Sequence, residues 1–416
     1  MSSLAINNTR HHYSMEPTNL RNIYKQLETP CFVFDEEELR RSVVGFQTAL
    51  EKHFHAPVVG YSVKTNSTPY CMQKAMEMGA WAEVVSSDEY ELALQCGCEK
   101  GKIIYNGPMK SKETFIDAVE HGAIVNIETK RELVWLKELD KDCDARVGLR
   151  LNTNISHVSL SDADGDDDNS RFGFSDETNE LNDAINYIAS LPNVSLTGLH
   201  IHRTAHSRSV RFYRQLISHA CDVIRKYGLT LDYLDVGGGY FGIFPNKPTF
   251  QDYSDAFHEV LEAHGLARLR LIVEPGNALV ASCFTFISEV IDHKQVEPGL
   301  WFITTDGSRN DIDPFFKKSG YLDEEMYQHD TPTVREQVVT GCTCLEYDRM
   351  FSLSGKPLLD IGDRIVYHNV GAYTMCLSPM FIRYLPNIYA QKQGHCELVR
   401  GRWTASEFLQ KSVVKH

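Results

Sequence analysis

From about Thr29 the chain alternates short apolar runs with amphipathic stretches. Runs at Cys31–Phe34, Val58–Val63, Trp81–Val85, Ile103–Tyr105, Ile124–Ile127, Arg146–Leu151, Leu196–His202, Tyr233–Val236 and Leu271–Val273 have the length and residue types of strands. Between most of them apolar positions recur at helical spacing, over 36–54, 69–78, 87–96, 111–121 and 130–139. Strand–helix alternation of this regularity implies βα units and a parallel sheet. Eight or so units within about 250 residues suit a closed (β/α)₈ barrel, with chemistry on the loops that follow the strands.

After about Ala281 the texture changes. Strand-like runs at Phe284–Ile291, Trp301–Thr305, Val334–Val339 and Arg364–Val370 come without regular intervening helices. Turn signals such as Pro298-Gly299 and Asp306-Gly307 punctuate them. The predicted organisation is therefore α/β: a barrel over 29–280 and a β-rich domain over 281–416, with a polar leader, 1–28, packing on the latter.

With 416 residues, 42% of them hydrophobic, the chain is long enough for this plan. Its net charge of −14 argues against nucleic acid or an anionic membrane as the main partner. No apolar stretch approaches the roughly 20 residues of a spanning helix. The start, Met1 to Asn19, has no apolar core of a signal peptide. Eleven scattered cysteines, an odd number, fit reduced thiols in a cytoplasmic enzyme better than a disulfide framework. Cys96-Gly97-Cys98 and Cys342-Thr343-Cys344 lack second pairs at zinc-like spacing, so no metal is expected. The acidic run from Ser161 to Ser170 lacks the terminal glutamate of a calcium loop and reads as a solvated insertion.

Candidate chemistry falls at the strand ends. The run Val58–Val63 delivers Lys64. Desolvation there would lower the amine's pKa and make it a Schiff-base nucleophile, although a strand-end lysine can equally be a snorkelling surface residue. His200-Ile201-His202 places two imidazoles on one face of its strand. Asp235-Val236-Gly237-Gly238-Gly239 exposes successive backbone N–H groups of the kind a phosphate needs, or is simply a glycine turn. Glu274-Pro275-Gly276-Asn277 sets a carboxylate at a further strand end, free to pair with a ring nitrogen or to cap the next element. Amine, imidazole, glycines and carboxylate together describe a site for pyridoxal phosphate.

On these motifs the chain resembles the barrel-type (fold type III) pyridoxal-phosphate decarboxylases, which include diaminopimelate, ornithine and arginine decarboxylases. Tyr61-Ser62-Val63-Lys64-Thr65-Asn66 is similar to the family's cofactor-lysine strand, and Ser170-Arg171-Phe172-Gly173-Phe174 to the segment before its histidine strand. Gly341-Cys342-Thr343-Cys344 with Asp348, and Gly371-Ala372-Tyr373, are similar to the contributions of its C-terminal domain. The resemblance implies an alanine-racemase-like barrel with Lys64 as the internal aldimine. His202 would stack on the pyridine ring, supported by His200, and Glu274 would pair with the ring nitrogen. Gly237, Gly238 and Gly239 would hold the phosphate, with Gly276, Asn277 and Tyr373 also at the cofactor. Glu83 and Arg150 would line it. Cys344 would enter from the partner of a head-to-tail homodimer and help to reprotonate the carbanion.

The chain also departs from the family's pattern. Asn277 stands where an arginine usually binds a distal carboxylate, Asp313 lies near a second such position, Leu345 replaces an acidic residue after the cysteine, and Ala205 replaces a phosphate-binding serine. An arginine clamp on a carboxylate is not reproduced by asparagine. The resemblance therefore implies a decarboxylase acting on an amino-acid-type substrate other than meso-diaminopimelate. Asp306, Arg309, Asp313, Glu346 and Asp348 would surround the substrate's distal end. A siderophore or antibiotic intermediate, or an ornithine- or lysine-type substrate held by Asp306, are the alternatives. An amino-acid racemase fits Glu274 less well, and a non-catalytic homologue fits poorly with Lys64, His202, Glu274, Cys344 and Tyr373 all retained.

Overall fold

The computed structural model describes residues 17–154, 170–203, 207–392 and 394–413. Most of the acidic run, together with Ala205 and the first part of the leader, lies outside them. The chain divides into two compact units, Glu36–Phe284 with Asn369–Ser378, and 17–35 with Thr285–His368 and 379–413.

The first unit is the expected barrel. Its strands are β1 (Val58–Ser62), β2 (Trp81–Ser86), β3 (Ile103–Met109), β4 (Ile124–Ile127), β5 (Ala145–Asn152), β6 (Val194–His200), β7 (Tyr233–Asp235) and β8 (Arg270–Val273). They pair in parallel in chain order, and β8 closes on β1 through Ile272 opposite Val58. Their burial is near-continuous rather than alternating, as both faces of a parallel barrel sheet are covered. The helix Glu36–Glu51 precedes β1 and packs beside Phe250–Ala263, with the Phe46 and Phe250 rings stacked at 4.4 Å. It occupies the place left open by the four-residue helix Asn277–Val280 after β8.

The second unit is a nine-stranded sheet, as the expected β-rich domain requires. Two boundaries differ from expectation. Cys31–Asp35, expected as a barrel strand, pairs in parallel with Asn387–Lys392 in this sheet. Its partner lies more than 350 residues away, so no local pattern could assign it. Residues 369–378, expected in the β-rich domain, belong to the barrel unit. From the leader, Leu20, Tyr24 and Leu27 join Cys31, Val33, Ile287, Met326 and Val366 in one buried cluster.

Candidate active site

Polar groups cluster in the C-terminal parts of the barrel strands and in the turns that follow them. β1 runs into a short 3₁₀ turn, Val63–Thr65, that carries Lys64. This turn is pinned on both sides. Tyr61 donates its phenol to the Asn66 carbonyl at 2.7 Å, and the Asn66 side chain donates to the Gly371 carbonyl at 2.8 Å. The Tyr373 N–H donates to the Thr65 carbonyl at 2.9 Å. Tyr373 was expected to reach in from the second domain; its backbone is instead part of the barrel unit.

Lys64 Nζ donates to both oxygens of the buried Glu83 on β2, at 2.9 and 3.2 Å. Ser62 holds the same carboxylate at 2.6 Å from the adjacent strand. Burial alone would lower the lysine's pKa, but Glu83 and Glu274 outweigh it and raise it above its ordinary value. The expectation of a depressed amine is thus corrected: a carboxylate at hydrogen-bond distance overrides desolvation.

Glu274 follows β8 and is 3% exposed. Burial favours its neutral form, yet His200 and Lys64 hold it below the usual carboxylate range. Asp235 at the end of β7 goes the other way, raised by burial and by the charge of Glu274. The two neighbouring carboxyls are thus pushed in opposite directions. His200 Nε2 lies 3.5 Å from Glu274 Oε2, and His202 Nδ1 lies 3.7 Å from the same oxygen. These three residues bring ligand-type atoms within 4.8 Å of one another, a spacing also found at metal sites. The His202 ring accepts the Gly238 N–H at Nδ1, 2.9 Å away, and burial and Arg150 lower its pKa. It is a neutral imidazole with its proton on Nε2.

Gly237 turns the chain with φ +72° after β7. A Cβ there would overlap the His202 ring, and one on Gly238 would overlap the Glu274 carbonyl. The glycine run is thus a backbone cradle against the imidazole and the carboxylate. A chain with an amine on one wall, an anionic carboxylate on the floor and such a cradle fits pyridoxal phosphate. Arg150 on β5 pairs with Glu128 at 2.8 Å and lies over the Phe172 ring at 4.7 Å.

Residues 37–281 match the family model described as "Pyridoxal-dependent decarboxylase, pyridoxal binding domain". The chain belongs to this family. A probable chloroplastic diaminopimelate decarboxylase of Oryza sativa subsp. japonica is 27% identical over 388 residues, 89% of this chain and 77% of that protein. The diaminopimelate decarboxylase of Aquifex aeolicus is 25% identical over 308 residues, 72% of this chain and 71% of the relative. The solved structure of the Methanocaldococcus jannaschii enzyme superposes with a TM-score of 0.80 at 22% identity, covering 95% of this chain and 94% of that one. The chain is a pyridoxal-phosphate-dependent amino-acid decarboxylase with an alanine-racemase-like barrel and a β-rich domain.

The barrel unit holds Lys64, Glu83, His200, His202 and Glu274 within one network of contacts. Asp306, Arg309, Asp313, Cys344, Glu346 and Asp348 belong to the β-rich unit, and several are engaged there. Arg309 donates twice to Asp313 Oδ2, at 2.9 and 2.8 Å. Asp348 is 2% exposed and accepts from Ser308 Oγ, the Arg309 N–H and Thr343 Oγ1 at 3.1, 2.9 and 2.6 Å. Asp306 accepts the Glu289 N–H at 2.8 Å. Asp313, Asp348 and the Arg309 guanidinium thus tie together loops of this unit. Cys344 and Glu346 are exposed on the loop that Asp348 braces.

Sequence reasoning missed Asn106, Asn126, Glu128 and Tyr233. Single asparagines on apolar strands carry no pattern; only their place in the C-terminal half of the strand, one residue before its end for Asn126 and three for Asn106, marked them.

Proposed function

We propose that this decarboxylase acts on an amino acid whose distal end differs from that of meso-diaminopimelate. One observation carries the reading: Asn277, directly after the Glu274-Pro275-Gly276 turn, stands where an arginine is expected. Asparagine offers one amide and no charge, so a distal carboxylate would lose a bidentate, charge-assisted contact. The names of the relatives favour a second reading, diaminopimelate decarboxylase itself.

When bound, pyridoxal phosphate supplies an electron sink for the pair left as carbon dioxide departs. Lys64 would hold it through Nζ, and Glu83 is the base placed to take the proton that this amine must lose. Glu274, kept anionic, favours a protonated ring nitrogen. Neutral His202 would lie against the ring, and the backbone N–H groups of Gly237, Gly238 and Gly239 would hold the phosphate with Gly276, Asn277 and Tyr373. Arg150, anchored by Glu128, lines the same mouth. Cys344 would come from the partner of a head-to-tail homodimer and return a proton to the α-carbon. Asp306, Arg309, Asp313, Glu346 and Asp348 are the candidates for the distal group.

Carbon dioxide release by cofactor-loaded protein tests this across L- and D-ornithine, lysine, arginine, meso-diaminopimelate and carboxylated amino-acid conjugates. Release from a member other than meso-diaminopimelate is expected. Conversion of meso-diaminopimelate to lysine at an enzyme-like rate, on the order of 10 per second, would establish the second reading instead.

A further inference from the structure

Glu83 and Glu274 share more than their proximity to Lys64. Asn106, buried on β3, donates Nδ2 to Glu83 Oε1 at 3.2 Å and to Glu274 Oε1 in a short bond. Its Oδ1 accepts from Asn126 Nδ2 at 2.9 Å. Asn126 Nδ2 also reaches Asp235 Oδ2 at 3.2 Å, and Asn126 Oδ1 accepts the Tyr233 phenol at 2.9 Å. The Tyr233 ring lies in space left by Gly148 and Gly198, where a Cβ on either would overlap it.

The direction of this chain of bonds is fixed by its ends. An ionised carboxylate accepts and cannot donate. Asn106 must therefore turn Nδ2 to the two glutamates and Oδ1 to Asn126. Asn126 must then donate, which leaves its own oxygen facing Tyr233, and the phenol must donate to it. Reversing either amide would set an oxygen against a carboxylate in a buried site, with a donor and an acceptor left unmatched.

We infer that Asn106 is a positioning residue that couples the carboxylate at Lys64 to the carboxylate at the ring nitrogen, held in that orientation by the bonds that continue through Asn126 to Tyr233. Two buried anions share one amide donor. Without it, each is less stable as an anion and binds protons more tightly. The inference rests on the reading that the cofactor lies between Lys64 and Glu274.

The test is a pH titration of the visible band of bound pyridoxal phosphate in the wild type, Asn106→Leu, Asn106→Asp and Tyr233→Phe. Cofactor affinity and thermal midpoint are measured alongside. Both Asn106 variants should move the band's titration midpoint upward, by about one pH unit or more, a tenfold change in proton affinity. Asn106→Asp should move it further, because it adds a third carboxyl. Tyr233→Phe keeps the ring's packing and removes only the phenol that orients Asn126. It should move the midpoint in the same direction by a smaller amount.

A merely structural role predicts lower thermal midpoints with an unmoved titration, and that result would overturn the inference. If the Asn106 variants fail to fold, Tyr233→Phe decides alone: an unmoved midpoint refutes the coupling. A wild type that shows no band after soaking in pyridoxal phosphate would refute the cofactor placement, and the inference with it. A wild type that binds normally beside variants with unmoved midpoints refutes the inference only.

Discussion

Lys64 Nζ lies 2.9 Å from Glu83 Oε2, so the amine that must become a nucleophile is held as a cation. Only the neutral amine attacks a carbonyl. Loading of the apo protein with pyridoxal phosphate should accelerate with rising pH across the accessible range. Glu83→Gln removes the larger of the two carboxylate charges that offset burial, so the profile should move to lower pH, with loading at pH 7 faster by roughly tenfold. Growth of the visible band after mixing, followed between pH 6 and 10, reads this. Superimposable profiles would show that Glu83 does not control the amine. The same pairing stabilises the fold below the amine's ordinary pKa of 10.5, and that stability is lost as pH rises through the higher folded value.

His202 carries the opposite sign. Its folded pKa lies well below the ordinary 6.5. Between the folded value and 6.5 the unfolded chain binds the proton and the folded chain does not, so stability falls as pH drops through that window. The slope contributed by this residue is at most about 1.4 kcal/mol per pH unit. Urea midpoints of the apo protein at pH 5 and pH 7 should converge in His202→Gln relative to the wild type. An unchanged difference would assign the acid sensitivity to other groups.

What the sequence disclosed divides by distance along the chain. The eight barrel strands were legible because each is a short apolar run bounded by turn residues. The motifs at Lys64, His202, Gly237 and Glu274 were legible because chemistry clusters where such runs end. Cys31–Asp35 was misplaced because its run is indistinguishable from a barrel strand until Asn387–Lys392 arrives beside it. The charge of Lys64 was misjudged for a related reason: β1 alone shows burial, and Glu83 comes opposite Ser62 only through the β1–β2 pairing. The bonds that Asp348 and Asp313 make to Ser308, Thr343 and Arg309 were not legible, because a carboxylate's local partners have no sequence signature.

Lys110 and Glu132 form an ion pair with both side chains fully buried, 3.2 Å apart, after β3 and within the helix Lys130–Trp135. Lys110 also donates to the carbonyls of Gly107 and Asn126, at 2.7 and 3.2 Å, so it ties the ends of β3 and β4 together. Lys110→Met leaves an unpaired buried carboxylate and should cost about 3–5 kcal/mol. Replacing Glu132 as well, by Leu, should recover part of that loss. Denaturant midpoints of the single and double variants check this. A loss no smaller in the double variant would mean that the bonds to the carbonyls, rather than the ion pair, dominate.

Gly276 approaches Thr65 so closely that a Cβ would overlap its hydroxyl. Gly276→Ala must displace either the turn after Glu274 or the turn that carries Lys64, at about 1–3 kcal/mol for the overpacking. Cofactor affinity should fall by about tenfold or more, since that displacement opposes the closed arrangement of both walls. Adding Thr65→Ala should restore part of it by removing the hydroxyl. Equilibrium titration with pyridoxal phosphate measures both, and full affinity in Gly276→Ala would show that the turn yields without moving the lysine.

Cys344 is exposed in the β-rich unit, on a loop braced by the buried Asp348, while Lys64 belongs to the barrel unit. If each site takes its cysteine from the partner protomer, a Lys64→Ala chain and a Cys344→Ala chain complement one another. In the mixed dimer one site would carry both defects and the other neither. With random exchange at equal concentrations about half the dimers are mixed and each has one intact site of two, so activity should rise to roughly a quarter of the wild type, from near zero for Lys64→Ala alone. Differently tagged chains verify that exchange has occurred. Activity no greater than the average of the two separate variants, despite verified exchange, would place the cysteine in its own chain's site or outside the chemistry.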